Sequence, residues 1–186
     1  MLKYNNLCIL FSFMLLLIIP SCKYQYQERI QTDKADDMTD FLIDFTKTMI
    51  DDEEKMIDSL LLMSTIPFKK DSTGIRINID HQFYSDTLGY PQDGDYVSIL
   101  YNCVLFDEIE LISDDIFLDT LTFKIGYSKQ MRGLNYAIKL LKVGDKSKII
   151  IPSYLGFGLS GYKETVPPYS TLLLNIKLLN IKKWKK

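Results

Sequence analysis

The chain is poor in the groups that usually carry covalent or metal chemistry. Among 186 residues it has one histidine, His81, and three cysteines, Cys8, Cys22 and Cys103. No cysteine or carboxylate spacing around His81 suits a metal site, so it reads as a surface strand or loop residue. Cys103 lies inside the apolar run "VSILYNCVLF", where a thiol is buried and inert rather than nucleophilic. There is no phosphate-cradling loop, no GxSxG elbow and no internal repeat. What the chain offers instead is "IIIPSYLGFGLSG", residues 149–161. Three β-branched residues ask for a buried strand, and Pro152 ends it. Tyr154, Leu155, Phe157 and Leu159 then alternate with Gly156, Gly158 and Gly161. Such a loop hides apolar side chains while its glycines bend the backbone. Its chemistry is exclusion of water.

The elements that must position this loop follow from periodicity. Met38, Phe41, Leu42, Phe45 and Met49 recur at helical spacing, and "DDEE" from Asp51 offers the cap of a second helix with Met56, Ile57, Leu60 and Leu61 on its apolar face. From Gly74 the period becomes two, with Ile75, Ile77 and Ile79 alternating with Arg76, Asn78 and Asp80. After the turn "GYPQDGD" a strand spans 96–106, a short one includes Leu111 and Ile112, and another covers 121–126. Leu134, Ala137, Ile138 and Leu141 form one helix face, stopped by Gly144. "KSKIIIP" and "STLLLNIKLLNI" are the remaining strands. Hairpin-linked strands around one short helix make an α+β fold, an antiparallel sheet wrapped around the helix and preceded by a helical extension.

The N-terminus carries an address. Lys3 precedes the unbroken apolar run "LCILFSFMLLLII", which ends at "IIPSC". That boundary resembles a bacterial lipobox, with Cys22 as the lipidated residue. The expected division is a signal peptide over 1–21, a lipidated tether over 22–33, a helical extension over 34–65 and a main domain over 74–183. With Cys8 removed and Cys22 lipidated, Cys103 has no partner for a disulfide. The net charge of −2 carries no nucleic-acid footprint, and the terminal "KKWKK" reads as a solvated end.

Four blocks resemble, in order, the FKBP-type peptidyl-prolyl isomerases: "DGDYVSILYNCVL", "MRGLNYAIKLLKVGDK", "IIIPSYLGFG" and "VPPYSTLLLNIKLL", spanning 93–179. The lipobox and acidic helix further resemble the gliding-motility-associated isomerase lipoproteins. The resemblance implies an FKBP-like fold, no cofactor, no metal, and proline-containing exported polypeptides as partners. It implies an envelope lipoprotein, held to the outer membrane and facing the periplasm, and a homodimer through the N-terminal helices is open. It assigns Tyr101 and Phe157 to the catalytic step, and substrate contact to Leu111, Ile112, Leu121, Gln130, Met131, Leu134, Tyr162, Val166 and Leu174. Tyr101 keeps the family residue. Leu134 stands in place of a tryptophan floor, Ile112 in place of an aspartate, and Phe157 in place of a tyrosine. Leu111, Leu121 and Leu174 replace aromatic walls, so the groove implied is aliphatic and turnover is weak. The alternative is a non-catalytic peptide-binding or chaperone module within a motility or secretion assembly.

Overall fold

The run Ile149–Ile151 has no alternation because its strand is covered on both faces, and this arrangement organises the fold. In the computed structural model, residues 24–81, 89–106 and 119–184 are described, with side chains from residue 36 onward. Helix α1 spans Tyr24–Leu61. The strands are β1 (Lys69–Lys70), β2 (Arg76–Asp80), β3 (Tyr96–Leu105), β4 (Asp119–Lys124), β5 (Lys146–Ile151) and β6 (Leu172–Lys182), with helix α2 at Arg132–Ile138. They form one antiparallel sheet of order β1-β2-β5-β6-β3-β4. The α+β expectation holds.

Side chains alternate across a strand, so each strand divides its residues between two cores. On one face Ile75, Ile77, Ile149, Ile151, Leu172, Leu174 and Ile176 meet Leu134, Ala137 and Ile138 of α2. The helix lies so close that a β-carbon at Gly133 would collide with Ile151. Asn135 fastens α2 at its side: its Oδ1 accepts from the Gly126 N–H at 2.8 Å, and its Nδ2 donates to the Met131 carbonyl at 3.0 Å. On the opposite face Ile150, Leu173 and Phe106 enclose Ile57 of α1, which is fully buried.

The contacts divide the chain into two units, Met1–Met49 and Ile50–Lys186. Within the first, Met38, Phe41, Leu42, Ile43 and Phe45 are exposed on α1. Three expectations change. No second helix begins at Asp51; α1 runs through, because neither proline nor glycine interrupts 24–61 and Glu53 and Glu54 bond to the sheet and its loop instead of capping. Residues 24–33 are helical rather than an unpatterned tether. The main domain begins near Ile50, not at residue 74, because Ile57 and the acids around it are integral to its core. The strand expected at Leu111 and Ile112, the signal segment and Cys22 lie outside the described residues.

Candidate functional site

Arg76 alternates in sequence with core isoleucines and reads as solvent-facing, yet it is 1% exposed. Its guanidinium donates to Asp58 Oδ1 from Nε at 3.0 Å and Nη2 at 2.6 Å, and to the Gly74 carbonyl at 2.7 Å. Nη2 also pairs with Glu54 Oε2 at 2.8 Å, which Lys70 reaches as well. Tyr154 donates its hydroxyl to Glu54 Oε1 at 2.8 Å. Burial opposes ionisation of Glu54, but hydrogen bonds from Arg76, Lys70 and Tyr154, with the Arg76 charge, hold its carboxyl at about 2. Burial, then the Glu54 carboxylate, push the Tyr154 phenol up. This network joins α1 to the segment following β5. Sequence reasoning missed it, because "DDEE" reads equally well as a cap.

That segment is the apolar loop. Pro152 ends β5, Ser153–Leu155 and Gly158–Ser160 form 3₁₀ turns, and the chain returns into β6 at Leu172. Backbone bonds close the loop on itself: Tyr162 and Val166 exchange N–H···O bonds at 2.9 and 3.1 Å, and the Tyr169 N–H donates to the Gly158 carbonyl at 2.9 Å. Gly161 adopts φ of 59°, and a β-carbon there would strike the Val166 carbonyl. The Phe157 and Tyr162 rings stack, with centroids 4.8 Å apart at 23°. Arg132, at the start of α2, donates to the Tyr154 carbonyl at 2.8 Å and links helix to loop.

Several of the sequence-predicted site residues pack against the main core. Tyr101 of β3, Leu121 of β4, Met131 before α2, and Phe157 and Val166 of the loop are all half-buried against the same core. They come from separate elements, and each is partly exposed. Burial and then Asp119, its partner across the β3–β4 ladder, push the Tyr101 hydroxyl up, so it stays a neutral donor. Tyr162 is 45% exposed and joins through its stack with Phe157.

Leu134 and Leu174 differ from the rest: at 2% and 1% exposure they are core beneath the cluster, not an open floor. Gln130 lines a separate depression of about 400 Å³, with Asp93, Ser128, Arg132 and Lys139 among its neighbours. Leu111 and Ile112 are outside the described residues. Cys103 is packed against the same core, and burial pushes its thiol up to about 11. His81 is largely exposed, with Nδ1 3.1 Å from Asp145 Oδ2.

Residues 89–179 match the family described as FKBP-type peptidyl-prolyl cis-trans isomerase. FK506-binding protein 1 of Eremothecium gossypii is 30% identical over 105 residues, covering 56% of this chain and 92% of that protein. FK506-binding protein 1A of Emericella nidulans is 31% identical over 96 residues, covering 52% and 89%. Among solved structures, FkpA from Escherichia coli superposes with a TM-score of 0.55 at 20% identity, covering 97% of this chain and 83% of that one. The peptidyl-prolyl cis-trans isomerase from Pseudomonas syringae pv. tomato gives 0.56 at 18% identity, covering 74% and 96%. At these identities the two structures speak to the fold, which is FKBP-like.

Proposed function

Because the chain belongs to the FKBP-type peptidyl-prolyl cis-trans isomerase family, we propose that it serves as an envelope isomerase of weak turnover acting on proline-containing segments of exported proteins. The observation that carries this reading is the convergence of half-buried Tyr101, Met131, Phe157 and Val166, from separate elements, on one apolar cluster. Rotation about a prolyl bond breaks and makes no covalent bond. The obstacle is the partial double bond, worth about 18–20 kcal/mol for an amide. The twisted amide loses resonance and charge separation, so apolar surroundings favour it over the planar ground state. Each further 1.36 kcal/mol or so of such preference multiplies the rate about tenfold. Phe157 and Tyr162 would cover the prolyl ring, and the neutral Tyr101 hydroxyl would donate to a peptide carbonyl.

Weak turnover follows from the aliphatic substitutions. Leu134, sealed into the core, supplies no flat aromatic floor for the prolyl ring. The same observation supports a second reading, in which the cluster holds extended segments without turning them over, as a chaperone module in a motility or secretion assembly. The envelope address rests on the signal-like N-terminus and on Cys22 as lipid anchor, with the outer membrane facing the periplasm as destination. Self-association is supported by the exposed Met38, Phe41, Leu42, Ile43 and Phe45.

Exchange NMR on a panel of X-Pro peptides separates the two readings. Isomerisation cross-peaks that strengthen with added protein support the enzyme; binding shifts without faster exchange support the holding module. Phe157→Asp should abolish peptide binding with the circular dichroism spectrum intact, and parent-like binding would remove the loop from the site. Cys22→Ser should release the protein from membranes, and unchanged fractionation and mass would refute the anchor.

A further inference from the structure

We propose that Glu53 is a positioning residue for the peptide site: its one carboxylate, carried on α1, fastens both ends of the loop that bears Phe157, Tyr162 and Val166. The inference rests on the reading of that loop as the site. Glu53 Oε1 accepts from the Ser153 N–H at 2.6 Å and from the Thr171 hydroxyl at 2.6 Å, while Oε2 accepts from the Ser153 hydroxyl at 2.8 Å. Ser153 follows Pro152 at the loop's start, and Thr171 immediately precedes β6 at its end. Both are buried, at 4% and 7% exposure. Thr171 is further tied by its carbonyl to the Phe106 N–H at 3.0 Å.

The Ser153 N–H opens a 3₁₀ turn and has no partner within it, so without Glu53 a buried donor would be left unpaired. A carboxylate only accepts, and its several lone pairs suit three converging donors. The stretch of α1 from Ile50 has other ties to the sheet. Ile57 is already seated against Phe106, Ile150 and Leu173, and Arg76 already grips Glu54 and Asp58. Among the described residues, the Glu53 carboxylate bonds instead to the two loop ends. Clamping the two ends narrows the conformations open to the chain between them. Phe157 and Tyr162 are thereby held in place before a peptide arrives, and the benefit appears as binding and turnover rather than as fold alone.

The test uses the full chain with Glu53→Ala, Glu53→Gln, Thr171→Val and, as a control elsewhere on the same helix, Ile57→Ala. Well below each melting temperature, Glu53→Ala should lower kcat/KM on a proline-containing peptide about tenfold, the scale of one charge-assisted hydrogen bond. Glu53→Gln should recover to within about threefold of the parent, because its amide oxygen accepts two of the three bonds. Thr171→Val, which removes one strap, should lose about threefold. Ile57→Ala should melt earlier but keep kcat/KM. Amide exchange supplies a readout independent of turnover: protection at Tyr162 and Val166, relative to β5 amides, should fall in Glu53→Ala and Thr171→Val alone. Equal behaviour of Glu53→Ala and Ile57→Ala in both readouts overturns the proposal, as does an unaltered Thr171→Val if Glu53→Ala does not fold. A parent that neither binds nor isomerises peptide refutes the functional reading instead. The exchange ratio then decides the clamp alone, and an unchanged ratio refutes it.

Discussion

Glu54 makes acid stability a direct probe of how α1 is joined to the sheet. Its side chain is 16% exposed, paired with Arg76 at 2.8 Å and with Lys70, and held at about 2 against an ordinary value of 4.5. At roughly 1.36 kcal/mol per pH unit, that depression corresponds to about 3 kcal/mol of folding free energy. Because the folded state holds the proton less tightly than the unfolded state, the contribution is complete above pH 4.5 and is lost as pH falls through about 2. Glu54→Gln removes this titration while keeping the shape of the side chain. Urea unfolding of both proteins between pH 7 and pH 2 should show the variant less stable by about 3 kcal/mol at neutrality, with the gap closing across the acid range. A gap that stays constant from pH 7 to pH 2 would refute the pairing of Glu54 with Arg76.

Removing the helix through Met49 should leave a cooperative melt, because the second contact unit begins at Ile50. Removing it through residue 65 should cost at least about 2–5 kcal/mol, because Ile57 is lost from its core and Arg76 is left buried without Glu54 or Asp58; equal melting of the two truncations would contradict the boundary. Leu134→Trp should destabilise by about 1–3 kcal/mol in thermal melts, since a side chain only 2% exposed leaves no room for an indole. Cys103, its thiol pushed up to about 11, should resist alkylation at pH 8 until urea opens the sheet, as read by intact mass.

The fold was legible wherever one period ruled a segment. Ile75, Ile77 and Ile79 alternate because one face of β2 meets the main core, and Leu134, Ala137 and Ile138 repeat because α2 is buried along one stripe. Legibility failed where a second layer intervened. Arg76 sits at a polar position of the same alternation, and nothing local says that Glu54 and Asp58 cover it. The unbroken isoleucines of β5 did signal a buried strand, but not that it is covered on both faces or which element supplies the second cover. Block spacing named Tyr101, Met131, Phe157 and Val166, and each of them packs half-buried against the main core. It could not separate an exposed lining from a sealed core, and Leu134 and Leu174 fell on the sealed side. Depth beneath a surface is a property of three-dimensional packing that register along a chain does not encode.

The end of β5 is where the two faces of the sheet come to bear on one loop. Ile151 packs toward α2 and the cluster of Tyr101 and Phe157, while Ile150 packs toward Ile57 on the other side. Pro152 then stops the ladder, and within two residues Ser153 and Tyr154 are bonded to Glu53 and Glu54. A loop leaving a strand covered on one face only would take its order from its own turns. Here it takes order from both layers: Arg132 of α2 holds the Tyr154 carbonyl while α1 holds its hydroxyl. On the proposed reading, selectivity for a peptide depends on how firmly Phe157 and Tyr162 are placed. On the reading proposed above, the stretch of α1 from Ile50 onward positions that loop through Glu53 and Glu54.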